Sequence, residues 1–187
     1  MHYYVVGVNG SGKTSLLKAI SDKTDIDIIH GTSELMNYLE IPGDYSALRA
    51  MNQDDVLERW GETATNLATD YGDKPFLLDT HIMNLTNGNI VRRDGDWIAR
   101  YDVLVLVHAE PSITLSRIEQ DIGKDRALFP SNINNRQKLE LLQKYQQETE
   151  KLFNVLTDKY NLPSLVIDNS GSIAQSVNAF IHSQVYR

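Results

Sequence analysis

Gly7-Val8-Asn9-Gly10-Ser11-Gly12-Lys13-Thr14 is the stretch that decides how the rest of the chain is read. It fits G-x-x-x-x-G-K-[ST], the pattern of a phosphate-binding loop. Each fixed position has a physical task. The glycines permit backbone angles that a Cβ forbids, so successive N–H groups can turn in around an anion. Lys13 adds a mobile positive charge for the outer phosphates, and the Thr14 hydroxyl suits Mg²⁺. Asn9, Gly10, Ser11, Gly12 and Ser15 complete the cradle. By composition alone the pattern arises in well under ~1% of chains of this length. Its surroundings strengthen it. Tyr3-Tyr4-Val5-Val6 reads as a buried strand, and Ser15 to Ile20 continues a helix from Lys13 to about Asp22, whose N-terminal dipole favours an anion.

Working outward, strands and helices alternate. Ile26–His30 reads as a second strand, followed by Gly31-Thr32-Ser33, a short helix from Glu34 to Leu39 and the breakers Ile41-Pro42-Gly43-Asp44. Asn52 is an N-cap for a helix with Val56, Leu57, Trp60, Ala64, Leu67 and Tyr71 on one face. Pro75–Asp79, Asp102–Val107 and Ser164–Asp168 are further strands. Helices are expected from Ser112 to about Gln120, from about Asn132 to Tyr160 and from Ser172 to Val185. Two turn dipeptides, Asn87-Gly88 and Asp94-Gly95, predict a small hairpin within about 87–99, with Ile90–Arg93 facing Trp97–Ala99. The central strands are apolar on both faces. The expectation is an α/β three-layer sandwich of the P-loop NTPase type, one domain over 1–187 with a central five-stranded parallel sheet. Its ligands would sit beyond the C-terminal strand ends.

Whole-chain properties narrow the function. The 187 residues carry 18 Lys plus Arg against 25 Asp plus Glu, a net charge of −7. That argues against a general nucleic-acid surface, while leaving a protein partner open. There is no cysteine, so disulfides and thiolate metal sites are excluded. The start lacks the basic stretch and cleavage site of a signal peptide, and no apolar run has the length of a membrane span. A soluble cytoplasmic protein is the expectation.

Asp79, at the end of an apolar strand, is the natural second holder of Mg²⁺ beside Thr14. Thr80 follows it, where many motor and transporter ATPases carry a Glu that polarises water, so transfer to an acceptor is favoured over hydrolysis. His81, two residues beyond Asp79 in an extended chain, points to the same side and toward the phosphates.

The loop, Gly31-Thr32, Arg49, Asp79-Thr80-His81, Arg117 and Asn169 together resemble the archaeal-type adenylate kinases, including eukaryotic nuclear relatives that share Asp-x-His after the third strand. The resemblance runs through nearly the whole chain and implies a nucleoside monophosphate kinase. Such an enzyme passes the γ-phosphate of ATP·Mg²⁺ to a monophosphate, AMP foremost. It further implies an acceptor segment of about 31–71, in which Thr32 meets the base or ribose and Arg49 the phosphate. A lid over about 120–133 would use Arg117 and Arg126 to neutralise transition-state charge, and Asn169 would line the adenine. Asp121 stands where the family usually carries a second Arg, and Lys124 and Arg126 are offset from its lid arginines. The hairpin with Arg92 and Arg93 lies outside the family pattern; one of the two, Arg92, is a candidate for reaching the acceptor. From the residues alone, rival roles stay open: a solvated charge for Arg49, a surface pair with Glu110 or Asp121 for Arg117, loop solubility for Arg126, pairing with Asp94 or Asp96 for Arg92, and a turn for Asn169. Two other functions also remain. One is an accessory ATPase that switches a protein or ribonucleoprotein partner, as the nuclear relatives suggest; the other is a kinase of a different small acceptor.

Overall fold

The computed structural model of the chain describes residues 1–121 and 127–186. Five parallel strands form the central sheet: β1 (His2–Val6), β2 (Asp27–His30), β3 (Phe76–Asp79), β6 (Val103–His108) and β7 (Ser164–Asp168), in the order β2-β3-β1-β6-β7. Strand β1, which feeds the loop, is therefore central. Alternate residues of β1 serve opposite cores. Tyr3 and Val5 join Leu16, Leu17, Ile20, Val177 and Phe180 under α1 (Lys13–Ser21) and α7 (Ile173–Ile181). Tyr4 and Val6 join Trp60, Leu142, Tyr145 and Phe153 under α4 (Gln53–Asp70) and α6 (Asn135–Tyr160). The expected three-layer α/β architecture is what the structure has. Among the described residues no helix is long and apolar enough to cross a membrane.

Several boundaries differ from the sequence expectation, each for a local reason. The second strand leads straight into α2 (Gly31–Tyr38), so Thr32 and Ser33 are first-turn residues of a helix. The breakers at 41–44 do not open a long loop: Asp44 caps α3 (Tyr45–Ala50), accepting from Ala47 N at 2.8 Å. The cap of α6 is Asn134 with a reciprocal capping box to Gln137, which starts the helix later than Asn132. The hairpin pairs β4 (Met83–Thr86) with β5 (Asn89–Arg92) and turns at Asn87-Gly88, both at positive φ (46° and 81°). That is the primed turn a tight hairpin requires. Asp94-Gly95 instead leads into a 3₁₀ turn over Asp96–Arg100, because Trp97 reaches back to donate its indole N–H to the Tyr4 hydroxyl at 3.2 Å. Helix α5 runs over Pro111–Gln120. Of the expected lid, residues 122–126, Arg126 among them, lie outside the described residues.

Candidate active site

The C-terminal ends of β1, β2 and β3 and the turn after β7 open on one cleft of about 800 Å³. Its floor is the loop. Gly12 adopts φ +82°, and a Cβ there would stand 2.5 Å from Asn169 Nδ2 and 3.1 Å from an Arg117 nitrogen, so only glycine fits. Three side chains hold the loop by its carbonyls. Arg117, from α5, donates to Ser11 O at 3.0 Å and to Asn169 O at 2.8 Å. Asn169 Nδ2 donates to Ser11 O at 2.8 Å. His81 Nδ1 lies 2.8 Å from Gly7 O. A carbonyl only accepts, so Nδ1 carries the proton, and in the neutral ring Nε2 is the basic nitrogen. Behind the loop the Tyr145 hydroxyl donates to Met83 O at 2.7 Å and lies 3.2 Å from Asn9 Oδ1; its burial raises its pKa.

Helix α1 leaves its own N-terminus open. No side chain caps it, and its first turn holds no acid, whereas α3, α4, α6 and α7 all have side-chain caps. Uncapped N–H groups facing a cleft form an anion site.

Beside it lies a buried ionic cluster. Lys13 Nζ is 2.9 Å from Asp79 Oδ1, with only 7% and 8% of the two side chains exposed. Thr14 Oγ1 donates to Asp79 Oδ2 at 2.8 Å, and His30 Nδ1 is 3.6 Å from the same oxygen. Burial by itself would raise the Asp79 carboxyl. The Lys13 charge and hydrogen bonds from His30, Lys13 and Thr14 outweigh it and hold Asp79 well below the ordinary carboxylate range. The His30 imidazole is raised, chiefly by its hydrogen bond to Asp79, with burial opposing. An ionised carboxylate next to a hydroxyl is a donor set that fits Mg²⁺, which takes few protein oxygens and keeps waters and phosphate oxygens for the rest.

Helices α2 and α3 add Thr32, Ser33, Tyr45 and Arg49 to the lining. Gly31 lets α2 settle onto the sheet: a Cβ would be 2.6 Å from the Trp60 ring and 3.1 Å from Asp79 O.

Of the residues singled out from sequence, Asn9 to Ser15, Thr32, Arg49, Asp79, His81, Arg117 and Asn169 share this cleft. Arg92 does not line it. It is largely exposed and forks onto Asp94 at 2.9 and 2.7 Å, while its neighbour Arg93 donates to Gln53 O at 3.1 Å. Sequence reasoning missed His30, Ser33, Tyr45, Asp121 and Ile173 as lining residues. His30 had a signal: it is the last residue of β2, and parallel register sets it beside Asp79. Tyr45 had none, because it sits on the helix that went unrecognised.

Residues 6–135, well over half of the chain, match the AAA domain family. The chain belongs to that family. No curated protein matches this AAA domain chain in sequence. Among solved structures it is similar to shikimate kinase from Bacteroides thetaiotaomicron, at 14% identity and TM-score 0.68 over 97% of this chain and 96% of that one. A second likeness is to shikimate kinase from Acinetobacter baumannii in complex with shikimate (12%, TM-score 0.66, 96% and 90%). A third is to deoxyadenosine kinase from M. mycoides with the products dCMP and dCDP bound (14%, TM-score 0.59, 97% of each chain). At these identities the likeness is one of fold: this AAA domain protein shares the three-layer α/β fold of these solved structures.

Proposed function

We propose that the protein is an ATP-dependent phosphotransferase, a nucleoside monophosphate kinase that moves the γ-phosphoryl group of ATP·Mg²⁺ to AMP or a related monophosphate. The observation that carries this reading is a cleft lined by cationic groups from two separate elements: Lys13 with the open end of α1, and Arg49 on α3. One suits the donor's triphosphate and the other an acceptor anion. Thr14 and Asp79 would hold Mg²⁺, which neutralises charge on the phosphate oxygens when bound. Lys13 would leave Asp79 for the β- and γ-phosphates. An acceptor phosphate oxygen then bonds to the γ-phosphorus as the bond to the β–γ bridging oxygen breaks, giving two diphosphates. No base is required, since a phosphate monoester with a second pKa near 6 is largely dianionic at neutral pH.

Thr80 supports transfer over hydrolysis. Its side chain is buried and bonds to Tyr4, away from the cleft, so no carboxylate occupies the position that would polarise a water. The similarity to shikimate kinases supports a second reading, a kinase of a small hydroxy acid. Arg49 would pair equally with a carboxylate, and the basic nitrogen of His81 would take the hydroxyl proton.

Coupled ADP formation decides between them when run with each monophosphate, with shikimate and with no acceptor. Monophosphate-dependent turnover is expected. Turnover only with the hydroxy acid overturns the first reading in favour of the second. Slow acceptor-independent hydrolysis alone would make the protein an ATPase, with the partner-linked switch as its role.

A further inference from the structure

Every tyrosine in the chain but one finds a partner within the described structure. Tyr38 donates to Glu62, Tyr101 to Ala64 O, Tyr145 to Met83 O and Tyr160 to Asp96; Tyr71 packs on Phe76 and Tyr186 on Phe180, while Tyr3 donates to Val185 O and packs on Phe180, and Tyr4 accepts from the Trp60 indole and packs on Tyr101. Tyr45 has neither a hydrogen bond nor a ring partner among the described residues, and its side chain joins neither hydrophobic core. It is 52% exposed, yet it lines the cleft. Its helix, α3, has no buried residue and is held by the Asp44 cap and by Leu48, with Met51 just beyond, against the core. Tyr45 thus presents an aromatic ring to a cleft whose other lining residues are mostly of polar type.

The spacing says what the ligand is. Tyr45 and Arg49 are i and i+4 on one helix, so they project from one face about 6 Å apart at Cβ. Arg49 suits a phosphate or carboxylate. Tyr45 offers a flat π-face and a rigid ring that costs little entropy to order. An acceptor that fills both must carry an anion at one end and a planar aromatic ring at the other. A hydroxy acid or sugar acid supplies only the anion. We propose that Tyr45 is the stacking platform for the acceptor's nucleobase, with Arg49 one turn along on its phosphate. The inference rests on the nucleoside monophosphate kinase reading and narrows it to acceptors recognised through their base.

The experiment measures the acceptor KM of wild type, Tyr45→Ala and Tyr45→Phe with AMP, alongside the KM for ATP. Inhibition by ribose 5-phosphate, which has the anion and the sugar but no base, is measured in parallel. Loss of base stacking raises the AMP KM of Tyr45→Ala about 10-fold or more, with the ATP KM held. Tyr45→Phe keeps the face and recovers most of that loss. The inhibition constant of ribose 5-phosphate stays the same in all three proteins. Having no partner to lose, Tyr45 can be truncated without unfolding the chain, which a melting curve checks. An unchanged AMP KM in Tyr45→Ala overturns the proposal while leaving the kinase reading intact. So does a rise in the ribose 5-phosphate constant in step with the AMP KM, since the substitution would then be reshaping α3. Wild type that turns over no monophosphate at all overturns the parent reading and the proposal with it.

Discussion

Replacing Asp79 with Asn tests the ionic cluster at the centre of the site. The carboxylate lies 2.9 Å from Lys13 Nζ, and both side chains are almost wholly buried. At that distance the gross attraction is about 6 kcal/mol with an effective dielectric constant of about 20. Desolvation of both ions offsets much of it, and removing one partner of a buried pair typically costs ~3–5 kcal/mol. Asn keeps the shape, still accepts from Thr14, and leaves Lys13 beside an open cleft into which it can swing. The lower end of that range, about 3 kcal/mol, is therefore expected, and for a chain of this size that lowers Tm by about 6–12 °C. The folded carboxyl is held below its ordinary value. Its contribution is thus present above the unfolded value of 3.8 and lost only as pH falls through the depressed folded value, so this deficit should be flat across neutral pH. Metal-free ATP supplies Lys13 with a new counter-ion. It should raise the Tm of Asp79→Asn more than that of wild type, in which the ion pair must first be broken. Thermal melts with and without ATP in EDTA measure both quantities, and an Mg²⁺ titration of turnover should show the variant's metal dependence weakened. Equal melting temperatures and equal ATP shifts in the two proteins would refute the reasoning.

Three further perturbations probe the surroundings of that cluster. Asn169→Ala removes one of the two donors on Ser11 O and should raise the ATP KM about 10-fold, a loss of ~1–2 kcal/mol. GTP should suffer by the same factor, because the amide holds the loop; steady-state kinetics with both nucleotides check this. His30 has its folded pKa raised above 6.5, so its pairing with Asp79 stabilises the fold below 6.5 and fades as pH rises through the folded value. The Tm gap between wild type and His30→Gln should close over that range, and Mg²⁺ should shrink it at every pH. Gly31→Ala drives a methyl group into Trp60 at 2.6 Å and toward Asp79 O; overpacking of about 1–3 kcal/mol is expected, read as a lower Tm with shifted tryptophan fluorescence.

The fold was legible because its signals are local and repeated. The loop motif fixed the first strand and helix, and four more apolar runs with helices between them left little choice of sheet. The hairpin was less legible because both Asn87-Gly88 and Asp94-Gly95 are good turn sequences. What separates them is the Trp97 indole bonding to Tyr4, 93 positions away. Helix α3 was hidden for the opposite reason: it buries none of its residues, so it leaves no apolar period, and its Asp44 cap looks like one more breaker. The loop, Asp79 and His81 could be placed in the cleft from strand-end logic. The bonds that Arg117 and Asn169 make to loop carbonyls could not, since no short pattern encodes a contact between residues 106 or 158 positions apart.

Those bonds explain how the loop can be ready for an anion before one arrives. In a trans peptide the C=O and the following N–H lie in one plane and point in opposite directions. Once Arg117 and Asn169 hold the Ser11 carbonyl, the Gly12 N–H must face away from them. His81 on the Gly7 carbonyl fixes the Val8 N–H in the same manner. The loop amides are thus aimed by what grips the carbonyls, and little reorganisation remains for the moment of binding. A nucleotide that takes Lys13 breaks its bond to Asp79, which frees a cation for the phosphates and a carboxylate for the metal in the same movement. Since ATP and Mg²⁺ each take one half of that pair, each lowers the cost of admitting the other. Binding of the two should therefore be cooperative through this single contact, without any movement of the sheet beneath it.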